Sequence, residues 1–524
     1  MLHHKSWKGS TQGYRSITIL GFVFFLLTTS FIGCKGMVAS DNEDVMAQKF
    51  ASNIDSAKIT LSELLAKDKD TILFSKGIKG YYQDNGMWLW ASSPETLEQC
   101  DTIIRFIEKK TSEIGFNKNI FLVDSIKSDI SRLKDQNIDS LSAIYHIMAR
   151  LELNLSKAYL SYVAGQCFGF VNPYKVFNRL DRGNGGGYRP LFDVPIELPD
   201  SNFVKNSFGH ILKEEALDYL SDIEPKDEAY IRLKDAYMKD SISDNKMKLL
   251  LNMERCRWKI KDTPLHEKKH IFVNIPAQHL WAVQPDSVLS MRICCGAFRT
   301  KTPMLTSKVN LVQFNPEWGI PMSIIKNEVS GHAGDSSYFA RHRYSIIHKS
   351  GDTINPKDIT SAQLRNGNYR ISQKSGPGNS LGRIIFRFPN QFSVYLHDTN
   401  SPGAFRNEKR TISHGCVRVQ QPFDLAMFVL PDLDEWTIEK IRLSVDIKPQ
   451  TDRGKKYLRD HLNKNGSTGK PIRLINSLRT NPETPLYIGY YTAYPNPQTR
   501  QIEFWPDRYE YDKQLLRAIK PLLP

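Results

Sequence analysis

The chain has 524 residues, 40% of them hydrophobic and 24% charged. That length supports roughly two to four domains with substantial cores, and the mixed composition excludes a globally disordered or fibrous protein. Lys and Arg outnumber Asp and Glu by 71 to 56, a net charge of +15. No helix-turn-helix, zinc-finger or base-stacking signature accompanies the charge. No nucleic acid partner is therefore expected, and an acidic polymer, an anionic membrane surface or a solvated basic surface would each suit it.

At the N-terminus Lys5, Lys8 and Arg15 precede a largely apolar run from Ile17 to Ile32, followed by Gly33 and Cys34. The run is short and asymmetric for a spanning helix. It has the form of an export signal over 1–33, with a signal-anchor helix as the rival. A cysteine directly after Gly33 resembles a lipobox, so Cys34 is the expected lipidation site and 34–45 a lipidated tether. Both readings place the remaining chain outside the cytoplasm, bound to a membrane. Beyond Cys34 stand Cys100, Cys167, Cys256, Cys294, Cys295 and Cys416, at spacings unlike a compact disulfide framework. Most are expected as buried thiols.

Residues 46–265 read as a helical scaffold domain. Ile103, Ile104 and Ile107, then Leu141, Ile144, Ile147, Met148, Leu151 and Leu153, recur at helical spacing, with Asp139-Ser140 as a cap for the second run. The glycine-rich segment 183–187 lacks the strand–glycine–helix setting of a phosphate loop and reads as a surface turn. After Lys269 the period changes to strands, at 270–275, 309–314, 383–388 and 392–396. Between them 322–372 is rich in Ser, Gly and charge, which predicts a lid or capping insertion, with an ordinary surface insertion as the alternative. Pro422 should open a helix reaching Val429. The fold class is α+β: a helical N-terminal scaffold followed by a mainly β catalytic domain with a capping insertion.

Chemistry concentrates in Ser413-His414-Gly415-Cys416-Val417-Arg418, with His397 upstream. A thiol attacks well only as a thiolate, and a neighbouring imidazole commonly lowers its pKa from about 8.5. The turn-forming loop Asp398-Thr399-Asn400-Ser401-Pro402-Gly403 would fold back to bring His397 to Cys416. This predicts a cysteine-nucleophile acyl-transfer site. Two bland readings compete: a buried thiol beside surface histidines, and a zinc site of His397, His414 and Cys416, which lacks a recognisable fourth ligand. No metal or cofactor is expected.

These residues resemble the L,D-transpeptidase family, the cysteine enzymes that cross-link bacterial peptidoglycan, in its large multidomain branch. The resemblance rests on Tyr395-Leu396-His397 and Ser413-His414-Gly415-Cys416-Val417-Arg418. In the expected order it also takes in Phe272-Val273-Asn274-Ile275-Pro276, Lys301-Thr302-Pro303, Phe314-Asn315-Pro316-Glu317-Trp318, Gly376-Pro377 and Leu381-Gly382. It covers 268–448 in detail and extends more loosely into Tyr487-Ile488-Gly489-Tyr490-Tyr491-Thr492-Ala493, within 449–524, which is expected as a C-terminal extension packed on the catalytic domain. Asn252-Met253-Glu254-Arg255-Cys256-Arg257-Trp258 resembles the family's scaffold-to-catalytic joint, with Cys256 where an aromatic residue is more usual. The stretch from Tyr237 to Asn252 is too short for the separate peptidoglycan-binding module of larger relatives.

The resemblance implies that Cys416 attacks a stem-peptide carbonyl, expels D-alanine and passes a thioester to a second stem, giving a 3→3 cross-link. His397 matches the proton donor and acceptor, although which histidine is the base stays open. His414 would tune the loop, Gly415 and neighbouring N–H groups would hold the oxyanion, and Asp398 or a loop carbonyl would fix the His397 tautomer. Arg418, Ser413, Tyr395 and Asp398 are the candidate substrate-binding residues. The expected partners are peptidoglycan stem peptides and, through the lipid anchor, the periplasmic side of a bacterial membrane. Hydrolysis by the same site, or a non-catalytic wall-binding role, are the alternatives.

Overall fold

The computed structural model describes residues 38–67, 75–84, 86–135, 138, 140–182, 186–200, 202–239, 245–465 and 471–524. The expected export signal, Cys34 and part of the 183–187 turn lie outside them. No described helix is long and apolar enough to cross a membrane.

The N-terminal half is helical: α1 (Val38–Lys67), α2 (Pro94–Glu113), α3 (Val123–Lys134) and α4 (Leu141–Phe168). The first begins inside the stretch expected as a tether. Ser140 caps α4 by accepting the Ala143 N–H at 3.3 Å, and Gly169, at φ 88°, ends it. From Ile147 to Gln166 α4 is buried on nearly every side, because α1, α2 and α3 surround it. Inside that core Glu152 accepts N–H groups from Leu89 (2.6 Å) and Trp90 (3.0 Å) and the Tyr82 hydroxyl (2.7 Å). Burial still pushes its carboxyl up to about 7.

The second half is built on eight strands: β1 (His270–Asn274), β2 (His279–Gln284), β3 (Ser287–Gly296), β4 (Met304–Phe314), β5 (Ile384–Arg387), β6 (Leu396–His397), β7 (Val417–Val419) and β8 (Ser477–Gly489). They pair in the order β5-β6-β7-β3-β2-β1-β8-β4, and β4 pairs again with β5, so the sheet closes on itself like a barrel. β8 lies between β1, to which it is parallel, and β4. Part of the 449–524 segment, expected as a C-terminal extension packed on the catalytic domain, is thus one of its staves. The strand expected over 392–396 shortens to β6, because Ser393 sits at φ 55° and the Asn390 side chain takes up the N–H groups of Phe392 and Val394.

Between β4 and β5 the insertion folds around its own core of Ile320, Ile324, Ile325, Val329, Phe339, Ile346, Ile359, Leu364 and Ile371. Four short strands support it, in the order Thr353–Ile354, Tyr344–His348, Tyr369–Gln373, Trp318–Gly319. A helix, α5 (Lys246–Arg257), joins the halves. Its Asn252 exchanges hydrogen bonds with Thr492 (2.8 and 3.1 Å), and Arg255 pairs with Asp512 at 2.7 Å. Cys256 lines an interdomain cavity of about 620 Å³ with Cys167, Trp258 and Tyr494, and no residue of the 413–418 segment borders it.

Candidate active site

β6 and β7 run parallel, with Leu396 opposite Val417 and His397 opposite Arg418. Alternation along a strand sends Leu396 and Val417 into the barrel core. It sends Tyr395, His397, Cys416 and Arg418 to the other face, so four sequence-predicted residues converge there. The Cys416 sulfur lies 3.8 Å from the Ser393 carbonyl oxygen. The Tyr395 side chain faces both Cys416 and Trp318, and burial pushes its phenol up to about 12, leaving a protonated donor.

Burial raises the Cys416 thiol to about 11, against the lowering pull of Tyr395, Arg418 and Arg387. The His397 imidazole is driven down to about 4, first by burial and then by Arg418, while the Asp398 and Leu381 carbonyls pull it up. Its Nδ1 is buried without a hydrogen-bond partner. The thiolate beside an imidazole anticipated from sequence is therefore not the resting state, because both charged forms lose hydration in this pocket.

Three further expectations change. Of the two expected partners of the His397 ring, the Asp398 carboxylate turns away, accepting the Arg383 N–H at 2.7 Å and bracing the turn at Gly382, and backbone carbonyls of Asp398 and Leu381 act on the imidazole instead. Ser413 is spent inside the nucleophile turn, donating to the Cys416 carbonyl (2.5 Å) and accepting the Gly415 N–H (3.1 Å). The latter bond also removes the Gly415 N–H from any oxyanion site in this arrangement. Gly415 is needed for its φ of 119°, whereas a Cβ there would meet only ordinary contacts. His414 points outward to Glu328 of the insertion, Nε2 to Oε1 2.6 Å, which ties the capping subdomain to the nucleophile turn. The Arg418 Nε is buried without a partner.

Beneath the turn lies a clamp that motif reading did not identify. Thr300 donates to the Ser413 carbonyl and Thr302 to the Gly415 carbonyl, each at 2.8 Å. The Gly296 N–H donates to Thr302 Oγ1 at 2.8 Å. A Cβ on Gly296 would lie 2.1 Å from the Thr300 carbonyl oxygen and 2.6 Å from the Thr302 nitrogen. Tyr509 donates to the Gly296 carbonyl (2.6 Å) and accepts the Thr302 N–H (3.2 Å). The Lys301-Thr302-Pro303 step was the one sequence signal for it. Among the described residues no three His, Cys, Asp or Glu side chains converge to hold a metal, and all six described cysteines are free thiols.

The family described as YkuD, L,D-transpeptidase catalytic domain, matches residues 268–447, and the family described as scaffold domain matches 76–236. A relative from Haemophilus influenzae, named "Putative L,D-transpeptidase", is 28% identical over 326 residues, 61% of this chain and 60% of its own length. The chain therefore matches less than two thirds of that relative. A solved structure titled Ldtfm-avibactam carbamoyl enzyme is 14% identical over 44% of this chain and 52% of its own, at a TM-score of 0.19, which is too low to carry an argument. By its catalytic domain, joined here to a scaffold domain, the chain belongs to the L,D-transpeptidase family.

Proposed function

We propose that this transpeptidase forms 3→3 cross-links between peptidoglycan stem peptides through a thioester on Cys416. The convergence of Cys416, His397, Tyr395 and Arg418 on one face of β6 and β7 is the observation that carries this reading. The thiol is protonated and the imidazole neutral, so the pair can exchange one proton without an ion pair being formed first. As the sulfur attacks the acyl carbonyl of the donor stem, its proton passes to His397. The imidazolium returns it to the departing D-alanine nitrogen. An acceptor amine then attacks the thioester, His397 takes the amine proton, and it returns that proton to the sulfur as the C–S bond breaks. The Tyr395 hydroxyl beside the sulfur supplies a donor for the oxyanion. The unpartnered Arg418 Nε supplies one for a stem carboxylate.

We further propose that Cys34 anchors the chain by lipid on the periplasmic side of a bacterial membrane. The support is the Gly33-Cys34 step after the apolar run.

The full chain incubated with disaccharide-tetrapeptide, beside Cys416→Ala, tests the reaction by mass spectrometry. Cross-linked dimers that depend on Cys416 are the expected product. Tripeptide alone would mean hydrolysis, and no product from folded, reduced protein would overturn the reading.

A further inference from the structure

Lys301 stands between the two threonines of the clamp, yet its side chain faces the other half of the molecule. Its ammonium pairs with both carboxylate oxygens of Asp181, at 2.8 and 3.0 Å, and lies 4.3 Å from the centre of the Phe298 ring. The lysine side chain is 5% exposed and the aspartate 22%, so the pair is largely withdrawn from water. Asp181 is not part of the barrel. It opens a short hairpin, Asp181–Arg182 with Tyr188–Arg189, that follows the scaffold helices, and Arg189 holds the same carboxylate at 2.9 Å.

From Lys301 the path to the nucleophile is short. The carbonyl oxygens of Thr300 and Lys301 lie 3.8 and 3.9 Å from where a Gly415 Cβ would be. The two threonine hydroxyls hold the carbonyls of Ser413 and Gly415, and Cys416 is the next residue. The charges that act most on the Cys416 thiol are Arg418 and Arg387. Lys301 meets the nucleophile turn through the backbone contacts of its own 300–302 step, which is a route for placement.

We propose that Asp181 and Lys301 are positioning residues for the acyl-transfer step: this ion pair, beside the Phe192–Asp193 strand that pairs with Met304–Leu305, sets where the nucleophile turn sits. This rests on Cys416 being the nucleophile, as argued above. Catalysis by a held thiol is steep in position, and a misplacement of about 1 Å costs on the order of a hundredfold. A scaffold aspartate can thus govern a bond formed in the barrel without touching substrate. The largely buried pair thus gives the scaffold a part in shaping the barrel's nucleophile turn.

The test uses the full chain, with p-nitrophenyl acetate as acyl donor and mass mapping of acetyl-Cys416, so that it does not depend on a peptidoglycan substrate. Asp181→Asn and Lys301→Met should each lower the limiting acylation rate about tenfold with KM moved by less than about twofold. The double variant should be no slower than Lys301→Met, and Lys301→Arg should recover most of the rate. Full folding is checked by thermal melting, and the thiol titration should not move. An Asp181→Asn protein that is folded and acylated within about twofold of the parent rate would overturn the proposal. So would independent, multiplying effects of the two variants. If Lys301→Met melts early, Asp181→Asn and Lys301→Arg still decide it. Failure of the peptidoglycan reading would appear separately, as normal acetylation of Cys416 with no product from disaccharide-tetrapeptide.

Discussion

At Cys416 and His397 burial opposes the charged form of each group, and the two shifts run in opposite directions: the thiol rises to about 11 and the imidazole falls to about 4. Between those values the resting pair is neutral. Alkylation of Cys416 by iodoacetamide should therefore keep climbing as pH goes from 7 to 10, in proportion to the thiolate fraction. A rate already level at pH 6 would mean a preformed ion pair instead. Beside it, Gly296→Ala should reduce acylation of Cys416 at least tenfold, about 1.4 kcal/mol in the barrier, because the new methyl meets backbone rather than a yielding side chain. A single-turnover acylation assay checks this. Cys416 and His397 were legible in the sequence because each is fixed by a local motif. The roles of Asp398 and Ser413 were not, since a carboxylate or hydroxyl in a turn goes to the nearest orphan N–H, here Arg383 and Gly415.

The helices show how much of an element local signals can specify. Ser140 ahead of an apolar run and Pro422 at a first turn both mark helix starts where the structure has them. Glu152, in the middle of α4, carries no such signal; only the packing of α1, α2 and the 88–91 segment makes it a buried carboxyl. Its folded pKa, about 7, lies above the ordinary carboxyl value of 4.5. The folded state thus holds the proton more tightly than the unfolded chain. The resulting stability is full below pH 4.5 and is lost as pH rises through 7, a change on the order of 3 kcal/mol. Glu152→Gln, neutral at every pH, should flatten that fall, as read from urea unfolding of the parent and variant at pH 5 and pH 8. A parallel pH dependence in both proteins would assign the change to another group. The insertion was legible as an insertion, but its nine core residues are spread too widely along the chain to announce a separate core.

Across the whole molecule the joint sets a buried polar network inside an apolar core that runs from Phe116, Phe177 and Phe192 into the barrel. Arg255 on α5 binds Asp512, Asp512 accepts the Thr492 hydroxyl at 2.6 Å, and Thr492 is bonded to Asn252. Arg255→Met should cost about 3–5 kcal/mol by leaving Asp512 buried without its cation. Adding Asp512→Leu should return part of that loss, measured by urea unfolding of the full chain. Such long-range pairings have no sequence signal in one chain, and the place of β8 in the barrel had none for the same reason. That placement bears on the order of events at synthesis. Strands β1 and β4 are made long before 477–489, and until β8 arrives their facing edges lack the stave that joins them. The clamp under Cys416 also waits for Tyr509. A chain still being synthesised therefore presents Cys416 before the barrel is closed and before the clamp beneath it is complete, so a competent nucleophile turn is among the last features the molecule acquires.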